Sequence, residues 1–324
     1  MLDNFLQILP GVIFDAAETL GGRCTGRFYA LNALENRVYD IEMEEGPHVI
    51  IKFYRPGRWS RATIQAEHDF LKALEKNEIP VVCPLSDNKE QSIFEINEVM
   101  FTIFPKRPGR LEPELNTEQL TCLGRFMARL HNVGAAVKGA PRLRLDPQTY
   151  GRDPLKFLID GNFVPLRLAS RFETIVTTLC DAITSRFEGV EYVLLHGDCH
   201  CGNILWNRDA PYFIDFDDML YAPPVQDIWM LTGGDDDYGK ERRQILLEAY
   251  EEFRTFDMTT MKLIEPLRAL RMIHFSAWIA RHWEDSAFKI GFPAFGTERY
   301  WQEQIEELAL QLEKVQTQST DLYH

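Results

Sequence analysis

The sequence predicts an α+β protein with two lobes, a small β-rich N-lobe and a larger helical C-lobe. Runs rich in β-branched and aromatic residues fill the first third of the chain. Apolar residues at helical spacing dominate the remainder. Between them lies PKRPGR, residues 105–110, whose two prolines and one glycine are typical of a linker. We therefore predict an N-terminal lobe over 1–104, a hinge over 105–110 and a C-terminal lobe over 111–324.

Five strand patterns and one helix build the predicted N-terminal lobe. Each strand pattern is bounded by turn-forming residues. The helical pattern follows the third strand and would carry Ile64, Glu67 and Leu71 on one face. The predicted strands cover residues 25–32, 36–43, 48–54, 92–96 and 98–104, and the predicted helix covers 61–77.

The C-terminal lobe is predicted from long helical patterns. Residues 117–136, for example, place Leu120, Leu123, Met127 and Leu130 on one face. Further helices are predicted near 166–187, 240–254, 260–284 and 298–315, with short strands at 192–195, 204–206 and 212–215. Two of these strands flank VLLHGDCHCGNILW, residues 193–206, the stretch with the most chemically active side chains.

Composition limits the partners of this chain. The 324 residues carry a formal net charge of −14, which argues against general nucleic-acid binding and against an anionic membrane surface. No apolar run approaches the roughly 20 residues that span a membrane. The first residues lack the basic region of a signal peptide, and the six scattered cysteines are typical of reduced thiols. These features predict a soluble, cytoplasmic protein.

Two charged residues lie in apolar surroundings within the N-terminal lobe. Lys52 stands in the strand pattern VIIKFY, and Glu67 stands on the apolar face of the following helix. A buried charge is costly unless it is paired, so each residue would neutralise the other. Alternatively, both side chains reach solvent at the edge of the sheet.

Asp198, Asn203 and Asp215 have the spacing of a phosphoryl-transfer site. Such an enzyme needs a base for the acceptor hydroxyl and oxygen ligands for Mg²⁺ at the nucleotide phosphates. Asp198 fits the first role, and Asn203 and Asp215 fit the second. The interval from Asp198 to Asn203 matches the H-R-D-x-x-x-x-N pattern of protein kinases, with Gly197 in place of the arginine. We therefore predict a nucleotide as co-substrate and Mg²⁺ as cofactor.

Two neighbouring features leave alternatives open. Asp217 would face the same side as Asp215 in an extended segment, as a ligand of a second Mg²⁺ or as a solvated loop carboxylate. Cys199, His200 and Cys201 suggest zinc, but zinc ligands are usually separated by two or more residues so that they converge. Ordinary loop packing is the favoured interpretation of these two cysteines.

The motifs together resemble a known family. HGDCHCGNIL and FIDFDD resemble the catalytic and metal loops of the aminoglycoside phosphotransferase and choline kinase superfamily. LNALENRVYDI, VIIKFYRPGRW and PPVQDIWML extend the likeness over nearly the whole chain, to the bacterial stress response kinase A family. The resemblance implies a bilobal protein-kinase-like fold, ATP-dependent phosphorylation of Ser or Thr on proteins, and a cytoplasmic monomer that acts in the stress response.

The resemblance also implies roles for individual residues. Asp198 becomes the proton acceptor, and Asn203 and Asp215 become the Mg²⁺ ligands. Asp215 is also assigned, together with Asp198, as a catalytic residue. Lys52 would neutralise the nucleotide phosphates, and Glu67 would hold Lys52 in place.

The resemblance further assigns the turn around residues 33–37 to cover the nucleotide. This turn lacks the G-x-G-x-x-G of protein kinases. Ala33 offers no hydroxyl, so its expected contact with ATP is through the backbone amide.

Two other functions remain as alternatives. A small-molecule kinase acting on an alcohol or amine, such as choline, homoserine or an aminoglycoside, would use the same residues on a different acceptor. A nucleotide-binding scaffold without turnover would not need Asp198 as a base, so the complete set of residues argues against it. The expected partners are ATP and a protein with a Ser or Thr acceptor, without nucleic acid or membrane.

Overall fold

The protein is described by a computed structural model that covers residues 2–207, 210–234 and 236–321. It is a mixed α+β structure with a β-sheet in its N-terminal region and helices in its C-terminal region, which confirms the predicted fold class. The chain divides into two compact units. The first comprises Met1–Arg142, Asp198–Met219 and Leu231–Thr255, and the second comprises Leu143–Gly197, Leu220–Met230 and Phe256–His324. The hinge at residues 105–110 stays a prediction.

The described residues form the following elements. The helices are α1 Leu2–Leu6, α2 Pro10–Ala17, α3 Arg61–Lys76, α4 Thr117–Ala136, α5 Asp153–Asp160, α6 Leu166–Thr184, α7 Val225–Thr232, α8 Asp237–Tyr250, α9 Ile264–Arg281, α10 Ser286–Gly291 and α11 Glu298–Asp321. The strands are β1 Cys24–Ala30, β2 Arg37–Met43, β3 Val49–Phe53, β4 Phe94–Ile96, β5 Val99–Pro105, β6 Arg110–Leu111, β7 Val193–Leu195, β8 Ile204–Asn207, β9 Ala210–Phe213 and β10 Leu220–Ala222. The five strands and the helix predicted for the N-terminal lobe are confirmed, each within two residues of its expected ends.

A five-stranded antiparallel sheet carries Lys52 on its central strand. The strand order is β1-β2-β3-β5-β4, and Lys52 of β3 stands opposite Val38 and Thr102. Its neighbours Ile51 and Phe53 belong to the apolar core that contains residues of α1 and α2. Because side chains alternate along a strand, Lys52 points to the other face of the sheet.

Helix α3 presents Glu67 from a buried face. The helix begins after Ser60, whose hydroxyl accepts a hydrogen bond from the backbone N–H of Thr63 at 3.1 Å. Ile64 and Leu71 are buried on the same face as Glu67, as the spacing predicts. The carboxylate of Glu67 is thereby fixed inside the protein, where its charge requires partners.

The close packing of α4 and α8 requires a glycine. A β-carbon at Gly124 would lie 2.2 Å from the backbone oxygen of Leu246, so only glycine allows this approach. Two turns further along, His131 Nδ1 lies 2.9 Å from the hydroxyl of Tyr250 in the interior. His131 is therefore a core histidine whose polar atom is satisfied.

In the second unit, β7 and β10 form an antiparallel pair that leads to the HGD motif. Asp227 of α7 accepts hydrogen bonds from the backbone N–H groups of His196 at 3.1 Å and of Gly197 at 2.9 Å. Both residues immediately precede Asp198 in sequence. Asp227 therefore holds the backbone of the two residues that precede the motif's aspartate.

The six cysteines, all within the described ranges, are free thiols, as predicted. Among the helices that the structure describes, none is both long and apolar enough to cross a membrane.

Candidate active site

The segment from Asp198 to Asn203 is held by its own hydrogen bonds. The backbone N–H of His200 donates to the carbonyl of Asp198 at 3.0 Å, and that of Asn203 donates to the carbonyl of His200 at 2.8 Å. The side-chain nitrogen of Asn203 also donates to the carbonyl of Asp198 at 3.0 Å. Since this bond occupies the amide nitrogen, the amide oxygen of Asn203 remains as the atom suited to a cation.

Asp215 lies just beyond β9, in a strained turn. The predicted strand over 212–215 is wrong at its end, because β9 stops at Phe213 and Asp215 has φ 61° and ψ 68°, in the left-handed region. Holding a residue other than glycine there costs about 1–3 kcal/mol, and such strain concentrates at functional sites. The N–H of Ile214 donates to the carbonyl of Asn203 at 3.0 Å and joins this turn to the Asp198 segment.

Lys52 is paired with two carboxylates of this turn. Its ammonium lies 2.8 Å from Asp215 Oδ1 and 2.5 Å from Asp217 Oδ1. Burial lowers the pKa of Lys52, but the charges of Asp215, Asp217 and Glu67 raise it by a larger amount. The net pKa therefore lies well above its usual value. The lysine is therefore cationic at neutral pH.

Asp217 is the site residue that sequence reasoning placed least well. It lies in a short 3₁₀ turn and is only 3% exposed, which rules out a solvated loop carboxylate. It accepts hydrogen bonds from Lys52 and from the side chain of Asn36. Burial raises the pKa of Asp217, whereas Lys52 and Arg58 lower it, and the net result is a pKa of about 2. The sequence feature that could have indicated a partner for Asp217 was Asn36, a polar residue in the predicted nucleotide-covering turn.

Glu67 is paired with Arg142 instead of Lys52. Arg142 Nη2 lies 3.5 Å from Glu67 Oε2, while the two close ion pairs of Lys52 go to the Asp215 turn. The direct Lys52–Glu67 pair expected from the sequence is thus not formed between these two described residues. The two charges nevertheless interact over a longer distance, because Lys52 contributes to lowering the pKa of Glu67.

Arg142 also reaches the turn that carries Asp217. Its Nη1 donates to the backbone carbonyl of Asp217 at 2.6 Å, and its guanidinium lies 5.1 Å from the ring centroid of Trp59. The arginine side chain is completely buried. Arg142 therefore links α3, through Glu67, to the Asp217 turn. No sequence motif pointed to it.

The predicted nucleotide-covering turn contacts the same region. Ala33 is half-buried between β1 and β2, in a turn where the N–H of Leu31 donates to the carbonyl of Val38 at 2.8 Å. Within this turn Asn36 donates to Asp217, and Glu35 forms an ion pair with Arg58. These contacts tie the β1–β2 turn to the Asp217 turn.

Arg58 extends this tie to Asp218. One of its guanidinium nitrogens lies 2.5 Å from Asp218 Oδ1, and its carbon lies 4.7 Å from the ring centroid of Trp59. Burial lowers the pKa of Arg58, but the charges of Asp218 and Glu35 raise it by a larger amount, so the net pKa lies above its usual value. Arg58 thus remains a cation beside the predicted phosphate-binding region.

The donor atoms at Asn203 and Asp215 fit Mg²⁺. An amide oxygen and a carboxylate are hard donors, and proteins usually bind Mg²⁺ through one or two such groups together with substrate phosphates. Within the described residues, no three or more His, Cys, Asp or Glu side chains are arranged as a metal site. Cys199, His200 and Cys201 therefore do not converge as a zinc site would require.

Comparison with known sequences agrees with this arrangement. Residues 30–264 match the phosphotransferase enzyme family. The chain is 37% identical to stress response kinase A of Shigella flexneri over 324 residues, which cover 99% of this chain and 98% of the relative. It is 38% identical to the serine/threonine protein kinase RdoA of Salmonella typhimurium over 308 residues, covering 94% and 93%.

Solved structures share the fold at lower identity. The amicoumacin kinase hAmiN, in complex with AMP-PNP and Ca²⁺, is 20% identical with a TM-score of 0.72, covering 92% of this chain and 93% of that one. A microcompartment-associated aminopropanol kinase is 18% identical with a TM-score of 0.69, covering 96% and 98%. These likenesses show a shared fold, whereas the sequence relatives show the family. The chain belongs to the phosphotransferase enzyme family and, within it, to the stress response kinase A family.

Proposed function

We propose that this kinase transfers the γ-phosphoryl group of ATP to Ser or Thr hydroxyls of proteins. In this proposal Asp198 accepts the proton, Asn203 and Asp215 hold Mg²⁺, and Lys52 binds the phosphates. The observation that carries the proposal is the 2.8 Å ion pair between Lys52 and Asp215, beside the hydrogen-bonded segment from Asp198 to Asn203. All four residues belong to one compact unit, which supports these roles.

Each residue has a defined part in the transfer. Asp198 takes the proton of the acceptor hydroxyl while the hydroxyl oxygen forms a bond to the γ-phosphorus. The bond from that phosphorus to the β–γ bridging oxygen breaks, and ADP leaves with the electron pair. Lys52 neutralises charge on the phosphates, and the backbone amide of Ala33 contacts the nucleotide. Asn203 and Asp215 would hold Mg²⁺, which would supply further charge neutralisation at the phosphates.

Glu67 supports Lys52 without touching it. Arg142 holds the carboxylate of Glu67, and Asp217 holds the ammonium of Lys52. When the nucleotide phosphates draw Lys52 away from Asp215, Asp217 keeps the negative charge that retains the lysine at the site. Glu67, whose pKa is about 8, adds to this charge as it ionises. We therefore place Glu67 in the nucleotide-binding machinery as a positioning residue.

The protein acceptor is supported by the sequence relatives. The relative named as a serine/threonine protein kinase matches 94% of the chain at 38% identity. The kinases of known structure, by contrast, act on small molecules according to their names, but at 20% identity or less they speak only for the fold. We further propose a cytoplasmic, monomeric enzyme, and light scattering of the purified protein tests the monomer.

The test is transfer of labelled γ-phosphate from ATP with Mg²⁺. Acceptors are a generic basic protein and, in parallel, a panel of small alcohols and amines. Label on protein Ser or Thr supports the proposal. Label only on a small molecule would retain the chemistry but establish a small-molecule kinase, and transfer to neither acceptor class would contradict the proposal.

Two variants test the assigned roles. We expect Asp198→Ala to abolish transfer while ATP binding stays largely intact, so turnover by this variant would refute the base. We expect Asp215→Ala to lose Mg²⁺-dependent nucleotide binding. Unchanged affinity in a calorimetric titration, with and without Mg²⁺, would contradict the role of Asp215 as a ligand.

A further inference from the structure

His200 lies two residues after Asp198 and has no part in the mechanism above. Its ring uses both nitrogens. Nδ1 accepts a hydrogen bond from the backbone N–H of Gly202 at 3.0 Å. Nε2 lies 3.4 Å from Asp198 Oδ2, the carboxylate proposed as the proton acceptor.

The contact with Gly202 determines which nitrogen carries the proton. A nitrogen that accepts a hydrogen bond from a backbone N–H has no proton of its own, so the proton of a neutral imidazole is on the other nitrogen. This network therefore assigns the Nε2–H tautomer to His200. The nitrogen that carries the proton is then the one that lies 3.4 Å from Asp198 Oδ2.

Gly202 leaves room for the ring in this position. A β-carbon at residue 202 would lie 2.7 Å from His200 Cε1 and 2.9 Å from Nδ1. Any larger residue would displace the ring from the backbone N–H that fixes its tautomer. The local sequence thus accommodates the imidazole in this one orientation.

Capping alone does not account for a histidine here. His200 precedes the 3₁₀ turn Cys201–Asn203, and its Nδ1 satisfies a backbone N–H of that turn. Such a cap needs a single acceptor, which Asn, Asp or Ser supplies with a smaller side chain. The second nitrogen, which lies 3.4 Å from Asp198 Oδ2, has no function in the cap.

We propose that His200 is a positioning residue for Asp198, a role that rests on the proposed function of Asp198 as proton acceptor. The Nε2–H group donates to Oδ2 and fixes the rotamer of the carboxylate, so the second oxygen is presented to the acceptor hydroxyl in one direction. At 3.4 Å the contact is longer than a standard hydrogen bond. Contacts of this kind in catalytic sites commonly shorten once the substrate is bound.

Two substitutions separate the two nitrogens. In His200→Asn the amide oxygen takes the place of Nδ1, which keeps the cap on Gly202 and removes the donor to Asp198. In His200→Gln the side-chain amide takes the place of Nε2 and keeps a donor within reach of Asp198. We expect His200→Asn to lower kcat about tenfold, the effect of losing one hydrogen bond to a charged group, with KM for ATP and Tm unchanged. We expect His200→Gln to recover most of kcat.

Equal kcat values for the wild type and His200→Asn would overturn the proposal. So would a loss of kcat that tracks a fall in Tm in both variants, since that pattern belongs to a cap alone. Absence of transfer by the wild type would overturn the proposed function itself, and with it this role.

An activity-independent measurement completes the test. The ¹⁵N spectrum of labelled histidines, with the His200 signals assigned by their loss in His200→Asn, reports the tautomer directly. We expect a protonated Nε2 and an unprotonated Nδ1. A protonated Nδ1 in the neutral ring would contradict the geometry on which the proposal depends.

Discussion

Arg142 Nη2 lies 3.5 Å from Glu67 Oε2, and both side chains are almost entirely shielded from solvent. This distance is longer than that of a close charge-assisted hydrogen bond. Arg142 is nevertheless the cation that pairs with Glu67, since Lys52 is held by Asp215 and Asp217. Charged side chains from separate parts of the chain thus depend on one another.

Replacing Arg142 by methionine tests this dependence. Above about pH 8, where Glu67 is ionised, Arg142→Met leaves it with an uncompensated buried charge, and breaking a buried pair in this way costs about 3–5 kcal/mol of the free energy of unfolding. Urea denaturation measures the loss. The matched control is Arg125→Met, since Arg125 also pairs with one glutamate, Glu252, but on the surface. Equal effects of the two substitutions would show that the buried pair is unimportant.

Glu67 predicts a specific pH dependence of stability. Burial and the nearby charge of Asp217 raise its pKa to about 8, although Lys52 and Arg142 act in the opposite direction. Between its ordinary pKa of 4.5 and about 8 the folded protein therefore binds a proton that the unfolded chain has lost. The stability that this proton supplies is complete below pH 4.5 and is lost as pH rises toward 8, by up to about 1.4 kcal/mol per pH unit.

The variant Glu67→Gln lacks this ionisation. Its free energy of unfolding, taken relative to the wild type, should therefore rise between about pH 5.5 and about pH 7.5. Urea midpoints at the two pH values, with equal m-values, provide the measurement. A difference between variant and wild type that does not change with pH would contradict the raised pKa.

Asp217 is predicted to stabilise the folded protein through its ion pair with Lys52. In Asp217→Asn the ammonium of Lys52 retains only Asp215 as a directly paired carboxylate, so we expect a stability loss of about 3 kcal/mol or more. Asp69→Asn, on the exposed face of α3, is the control and should change stability little. Thermal unfolding of both variants measures the effect, and a wild-type Tm for Asp217→Asn would refute the pairing.

Two glycines test the packing of the helices. Gly124→Ala forces the backbones of α4 and α8 apart, and overpacking of this kind costs about 1–3 kcal/mol. At Gly11 of α2 an added β-carbon would meet no atom within 4 Å, so Gly11→Ala should be neutral or stabilising by up to about 1 kcal/mol. Opposite signs in chemical denaturation are expected. Equal losses would contradict the close approach at Gly124.

Local patterns were sufficient for much of the fold. Strands β1 to β5 follow from residue alternation, and helices α3 and α4 follow from 3.6-residue spacing. Each strand buries one face over several residues, and each helix buries one face over more than a turn. The patterns missed several short elements, namely helices α1, α2, α5, α7 and α10 and strands β6 and β10. Elements this short have too few residues to display a period, and tertiary packing stabilises them.

The sequence by itself predicted the chemistry of the site, since the types and spacing of Lys52, Asp198, Asn203 and Asp215 are those of a phosphoryl-transfer enzyme. Only the tertiary structure decided which charges are paired. It paired Asp217 with Lys52, 165 positions away along the chain, and Arg142 with Glu67, 75 positions away. Pairing of buried charges depends on which side chains share an interior, and residues far apart in sequence leave no periodic signal of that choice.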